Sequence, residues 1–511
     1  MVFAAVELQD EDCLHLNIFS PSNSQGKRYP VMVYIHGGSY RVGSGNSFLG
    51  HVLAQHGIVV VNINYRLEAL GFLTTGDDLL PGNYGLLDQI AALKWVKQNI
   101  AAFAGDPSRV TIAGNSAGGA SVGLLNVSPA ARGLFNQAII QSGSPLAFWA
   151  THNETANLRN FFRHYANVHG CQQNSISELI ACLREIPWQL FNFELRFELP
   201  RISPSRTDIR PRVDKSVLES MAVDLYKTAH INVKSIMTGV VKSEWSRHIT
   251  LFLHEDLLPN KPHLAIHHVF ADRFWWDPAI TQVVVHEYTN WSRRDDQVEN
   301  RRNYLQCISD MAMLAPTVKL ADMCSKRGVS VYLYQFNHES HSDETFQPWQ
   351  ANYHQIELNY VFGSPFTNID TEQGLQMNFT REDRAVSVRM MQHWSNYVKY
   401  GTPNAAKEAN RRWTPFKSKT MDYLEIETAA DEMKTFIRAE KVSFWNDLIP
   451  SLREQLASAG HTMPDRGPFF WVFVILSVVL LILLLVSLVL ITRIRTMRNP
   501  QPIRPVTPTN V

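Results

Sequence analysis

The chain has 511 residues, 48 of them Lys or Arg and 47 Asp or Glu, with 45% hydrophobic and 11% aromatic residues. That composition excludes a disordered or coiled-coil protein, and a net charge of +1 provides no basic field for nucleic acid. The near-neutrality is uneven: four Arg and no acid follow residue 492, leaving a mildly acidic body of net charge −3.

Five Cys is an odd number, and in an oxidising compartment an odd count asks where the missing partner is. The first residues, MVFAAVELQDEDC, lack a basic n-region and carry an acid by residue 7, so they do not read as a signal peptide. Tyr29–His36 (YPVMVYIH) and Ile58–Asn64 (IVVVNIN) are short, β-branched apolar runs between Gly and polar clusters, and predict buried strands. Leu86–Ile100 has apolar positions at helical spacing and ends on the turn signal FAGDPSR. Val110–Gly114 (VTIAG) predicts another buried strand, leading into the helix of AGGASVGLL, and Ala138–Gln141 (AIIQ) repeats the strand pattern. Alternation of this kind predicts a mostly parallel sheet with helices on both faces. Residues Phe191–Asp310 are the least legible, and read as helices and surface loops over the strand ends. Cys307 and Cys324 fall on one predicted helical segment, where two buried thiols and a bridge are equally compatible. No Cys/His cluster has ligand spacing, so neither a metal nor another cofactor is expected.

Near the C-terminus, Phe469–Thr492 is 24 residues without a charge. As a helix it would measure roughly 36 Å, enough to cross a bilayer core of about 30 Å. Arg493, Arg495, Arg498 and Arg504 follow it, so the positive-inside rule puts the C-terminus in the cytoplasm and everything before residue 468 outside. The expected layout is an α/β ectodomain over 1–457, a stalk over 458–468, a span over 469–492 and a Pro-rich, unfolded tail over 493–511. This topology requires a signal peptide. Either the chain is N-terminally incomplete or the topology fails, and the first expectation would also explain the odd cysteine.

Gly114-Asn115-Ser116-Ala117-Gly118 is a G-x-S-x-G between a predicted strand and a small-residue helix. The sharp turn needs Gly on both sides because the backbone crowds around the exposed Ser oxygen. The N–H of Ala117 can face a developing oxyanion, and Gly37 and Gly38, at the end of an earlier strand, can supply further donors. A triad on such a sheet runs Ser, acid, His in chain order, but spacing does not choose among 19 His.

The segments EDCLHLNIFSP, YIHGGSY, NYRLEALGF, GNYGLLDQIAALKWVKQNIAAFAGDPSRVTIAGNSAGGAS and YHQIELNYVFG resemble the type B carboxylesterase and cholinesterase family over roughly residues 10–450. The resemblance implies an α/β-hydrolase fold with a Ser–Glu–His triad: Ser116 as nucleophile, Glu244 in TGVVKSEWS as acid, His354 as base. Departures accompany the matches. Asn115 stands where esterases usually have Glu, Trp245 and Gln355 each replace a Gly beside a triad member, and Ser39 replaces the third Gly of the oxyanion loop. The triad side chains are complete and their neighbours atypical, so enzymatic activity is left open.

HGGSYRVGSGN, NYRLEALGFLTTGD, RGLFNQAIIQSGSPLAFWA and KVSFWNDLIPSL are closer to the neuroligin and gliotactin branch. That branch consists of cell-surface adhesion or junction proteins with one C-terminal span. The resemblance implies a plasma-membrane protein with an extracellular protein partner; a membrane-anchored carboxylic ester hydrolase with an ester substrate is the alternative. It further implies a Cys171–Cys182 disulfide, a partner for Cys13 upstream, and homodimerisation through helices such as Glu440–Leu452. Sequons begin at Asn126, Asn153, Asn290 and Asn378; Asn126 is expected to be buried, and the other three to carry glycans. Thr509 and Val511 fit the C-terminal pattern read by PDZ domains.

Overall fold

A computed structural model describes residues 9–22, 26–151, 155–191, 209–246, 277–340, 352–367, 378–404 and 412–459. The chain divides into a compact unit, Met1–Leu452, and a second unit, Arg453–Val511. The predicted span, the tail with Thr509 and Val511, and the sequon at Asn153 lie outside the described residues. Among the described residues no helix is long and apolar enough to cross a membrane.

Among the described residues the first unit has nine strands: β1 (Leu16–Phe19), β2 (Tyr29–Ile35), β3 (Val59–Ile63), β4 (Gly105–Asn115), β5 (Gln137–Gln141), β6 (Ser235–Val241), β7 (Ser330–Phe336), β8 (Tyr423–Ile426) and β9 (Asp431–Lys434). They pair in the order β1-β3-β2-β4-β5-β6-β7-β8-β9. Only the outer pairs, β1 with β3 and β8 with β9, are antiparallel. A mixed, mostly parallel sheet flanked by helices is the arrangement an α/β-hydrolase fold requires.

The inner strands are apolar along their whole length because both sheet faces are covered. Val31 to Ile35 and Val59 to Val61 are all buried. Four helices bear on the site: α1 (Tyr84–Asn99), α2 (Ala117–Val127), α3 (Ile356–Val361) and α4 (Arg381–Tyr400). Every residue of α2 is buried, which explains its Gly, Ala and Ser content: a helix against the strand ends has room for little else. Asn126 on α2 is fully buried and donates to the Tyr226 hydroxyl at 3.2 Å. The start of α4 is set by a Thr380–Asp383 capping box and its end by Gly401 at φ 71°. From α4, Trp394 donates to Gln141 Oε1 at 3.1 Å and Tyr397 to the Ala138 carbonyl at 3.1 Å, fixing the helix against β5.

The predicted strands and helix in the first 141 residues correspond to β2, β3, α1, β4 and β5. One expectation is corrected. Phe191–Asp310 contains more than helices and loops, because β6 runs through it in the middle of the sheet. Its sequence, SIMTGVV, reads weakly as a strand, since Ser, Thr and Gly sit where packing demands small or bonded groups. A Cβ on Gly239 would stand 2.3 Å from the Tyr334 ring, and Thr238 Oγ1 donates to the Ile140 carbonyl at 2.8 Å.

Candidate active site

The parallel strands deliver their C-terminal ends to one edge of the sheet, where ligands of open α/β sheets bind. β2 ends at His36-Gly37-Gly38, β4 at Ser116, and β6 just before Glu244. Ser116 stands between β4 and α2 at φ 57°, ψ −125°, a backbone conformation rare for a residue with a side chain. Three glycines make that turn sterically feasible. A Cβ on Gly114 would lie 2.5 Å from the Gly118 carbonyl, and one on Gly118 would lie 2.0 Å from the Ile35 oxygen. One on Gly143, past the end of β5, would lie 2.0 Å from the Ser116 oxygen. The Ser116 N–H is held by the Gln141 carbonyl at 2.9 Å.

Glu244 and His354 come from segments 110 residues apart and meet at 2.6 Å, Nδ1 against Oε2. The contact is held on both sides. Glu244 Oε1 accepts from the Val241 N–H at 3.0 Å, turning the carboxylate back over the end of β6. The His354 N–H donates to the Glu244 carbonyl at 3.0 Å, and the Ser243 N–H to the Asn352 carbonyl at 3.2 Å. With Nδ1 engaged by the carboxylate, Nε2 is the other ring nitrogen of His354. Ser116 and His354 are each 7% exposed and Glu244 is 1% exposed. The loop carrying Ser116 and the loop after His354 share a neighbour in Gly37. A Cβ there would lie 3.0 Å from Ser116 Cβ and 3.2 Å from Gln355 Nε2.

In the loop after β2, Gly38 lies at φ 104°, and Ser39 at 59° and Tyr40 at 62° hold left-handed backbone that side chains avoid. Behind it His36 is buried, stacks on Tyr65 at 4.5 Å and places Nδ1 2.8 Å from the Gly37 carbonyl. Burial lowers its pKa to about 4, so it is a neutral support for the loop and not a second base.

Beneath the nucleophile, Asn115 donates to Glu357 Oε1 at 2.9 Å. Glu357 is fully buried, and burial together with the nearby Glu244 charge pushes its pKa up to about 8, leaving it neutral at physiological pH. Sequence reading does not single out Glu357 or Gly143. The His-x-x-Glu spacing carries a signal for the first, and the small residues of QSGS after β5 carry one for the second.

The structure bonds Cys171 to Cys182, while Cys307 and Cys324 are buried free thiols and Cys13 is a part-exposed one. Among the described residues no group of three or more His, Cys, Asp or Glu side chains is arranged to hold a metal ion. Of the sequon residues, Asn378 is exposed and Asn290 half-buried, with Oδ1 of Asn290 accepting from the Ser292 hydroxyl at 2.7 Å.

A serine turn, a Glu–His pair and a Gly-rich strand end thus gather at one edge of a parallel sheet. The sequence model of the carboxylesterase family matches residues 2–445. The chain belongs to the carboxylesterase family. It is also 32% identical to mouse (Mus musculus) neuroligin-3 over 499 aligned residues, which cover 88% of this chain and 58% of that protein. The chain therefore spans somewhat over half the length of that relative. Asn115, where esterases usually have Glu, pairs with Glu357, whose pKa burial pushes up to about 8.

Proposed function

We propose that this chain is a neuroligin-like cell-surface protein that uses its carboxylesterase-family domain as a recognition surface for an extracellular protein partner. The observation that carries this reading is the likeness to neuroligin-3, which extends over 88% of the chain. The atypical residues around the triad, Asn115, Trp245, Gln355 and Ser39, support it. In this reading the chain sits in the plasma membrane by one span over 469–492, with the domain outside and residues 493–511 in the cytoplasm. Thr509 and Val511 present a PDZ ligand, Asn153, Asn290 and Asn378 carry glycans, and two copies pair through the helical segment around Glu440–Leu452. The test is aggregation of cells displaying the full chain. Aggregation retained by Ser116→Ala supports the reading; cells displaying the chain that neither aggregate nor capture any cell type would overturn it.

The 2.6 Å Glu244–His354 contact favours a second reading, a membrane-anchored serine ester hydrolase. Ser116 Oγ would attack the acyl carbon as its proton passes to His354 Nε2, with Glu244 orienting the imidazolium and N–H groups of Gly37, Gly38 and Ala117 receiving the oxyanion. Water then resolves the acyl-enzyme. Labelling of Ser116 by a fluorophosphonate, abolished in Ser116→Ala, together with ester turnover supports this reading. A folded, displayed chain that takes no label excludes it.

A further inference from the structure

Gln355, the residue after His354, breaks a local rule. It lies at φ 76°, ψ −5°, in the left-handed region that side chains avoid. The residue is 8% exposed, and its side-chain amide is not among the buried polar atoms sealed from solvent without a partner. The left-handed backbone is unfavourable for a residue with a side chain, and glycine would remove that cost. Local violations of this kind concentrate where a side chain has a use beyond stability.

The placement indicates the use. Gln355 Nε2 lies 3.2 Å from the point where a Cβ on Gly37 would stand, and Ser116 Cβ lies 3.0 Å from that same point. The amide therefore borders the oxyanion loop on the side that also faces the nucleophile. Its only chemistry at that position is to donate from –NH₂ or accept at Oε1. An acyl oxygen at Ser116 would arrive with lone pairs to fill.

We propose that Gln355 is a substrate-binding residue of this site, its Nε2–H donating to the carbonyl oxygen of an ester bound at Ser116. The proposal rests on the hydrolase reading. As Ser116 Oγ bonds to the acyl carbon, its proton passes to His354 Nε2 and the carbonyl π pair moves onto oxygen. The Gln355 donor strengthens with that charge, beside the backbone donors of the loop. Collapse of the intermediate expels the alcohol oxygen, which takes the proton back from His354.

The test uses the full chain, a p-nitrophenyl ester and a fluorophosphonate probe. Gln355→Met keeps the side-chain length without the donor, and Gln355→Gly removes both the donor and the strain. Both variants should lower kcat and the labelling rate about 10- to 100-fold with KM changed less than about threefold, because the donor acts mainly on the developing oxyanion. The thermal midpoint of the Gly variant should be equal to or above the parent's, which separates lost binding from lost fold. A parent that labels while both variants label as fast or faster overturns the proposal alone, and would make Gln355 an obstruction. A parent and variants that all fail to label overturn the hydrolase reading and the proposal with it.

Discussion

The side-chain amide of Asn115 donates at 2.9 Å to the carboxyl of Glu357, joining the residue before the nucleophile to one three positions after the base. This bond ties the elbow at the end of β4 to the first turn of α3 through the protein interior. The bond favours the ionised form of Glu357, but burial and the nearby Glu244 outweigh it and push the pKa of Glu357 up to about 8.

Stability should therefore depend on pH in a direction opposite to that of an ordinary surface acid. With a folded pKa of about 8 against 4.5, the folded state retains a proton that the unfolded chain releases. The stabilisation is fully present below pH ~4.5 and declines through the window up to ~8, by about 1.4 kcal/mol per pH unit. Glu357→Gln, which cannot ionise, should flatten this decline, so that its stability relative to the parent's rises steadily from pH 5 to pH 8. Chemical denaturation of both proteins at pH 5, 7 and 8.5 measures it, and parallel curves would refute it.

Gly143 is predicted to be as intolerant as the glycines of the elbow itself. Its added Cβ would lie 2.0 Å from the Ser116 oxygen and 3.0 Å from the Ala120 nitrogen, both backbone atoms. Gly143→Ala should cost about 2–3 kcal/mol and displace the elbow. Gly133→Ala, at φ 77° with nothing within 4 Å, should cost only about 1 kcal/mol of backbone strain. Thermal melts of the two variants compare them directly.

Away from the site, Arg438 meets the buried Asp310 with two bonds, 2.9 Å from Nε and 2.6 Å from Nη2. Tyr288 and Gln306 donate to the same carboxylate. Arg438→Met should cost about 3 kcal/mol, because it leaves a buried charge short of its cation. Adding Asp310→Asn should recover part of that loss, and a double-mutant cycle on thermal stability would show the coupling.

The Cys171–Cys182 bond closes a loop with a sequence separation of 11. Replacing both by Ala should lower stability by about 2–3 kcal/mol, mainly by freeing the unfolded chain. Cys307 and Cys324 should react with a thiol reagent only on unfolding, since burial raises both thiol pKa values, that of Cys324 to about 12. Rapid reaction of either in the native protein would contradict this.

The strands β2 to β5, the helix α1 and the elbow were legible in the sequence because each is a local pattern. Apolar runs bounded by Gly mark buried parallel strands, and a Gly-flanked Ser marks a turn no other residues allow. β6 was hidden because Ser, Thr and Gly serve contacts with Tyr334 and Ile140 that lie about a hundred residues away in the chain. Among the 19 His, resemblance and not spacing selected His354. By itself the sequence determined the order of elements, the charge asymmetry and the apolar segment over 469–492, all properties of neighbouring residues. Only the tertiary structure decided that Glu244 and His354 meet, that Glu357 stays protonated beneath Asn115, and that the Gln355 amide lies against Gly37. Each of these depends on distance and burial between segments that the chain order separates, and no local pattern records either.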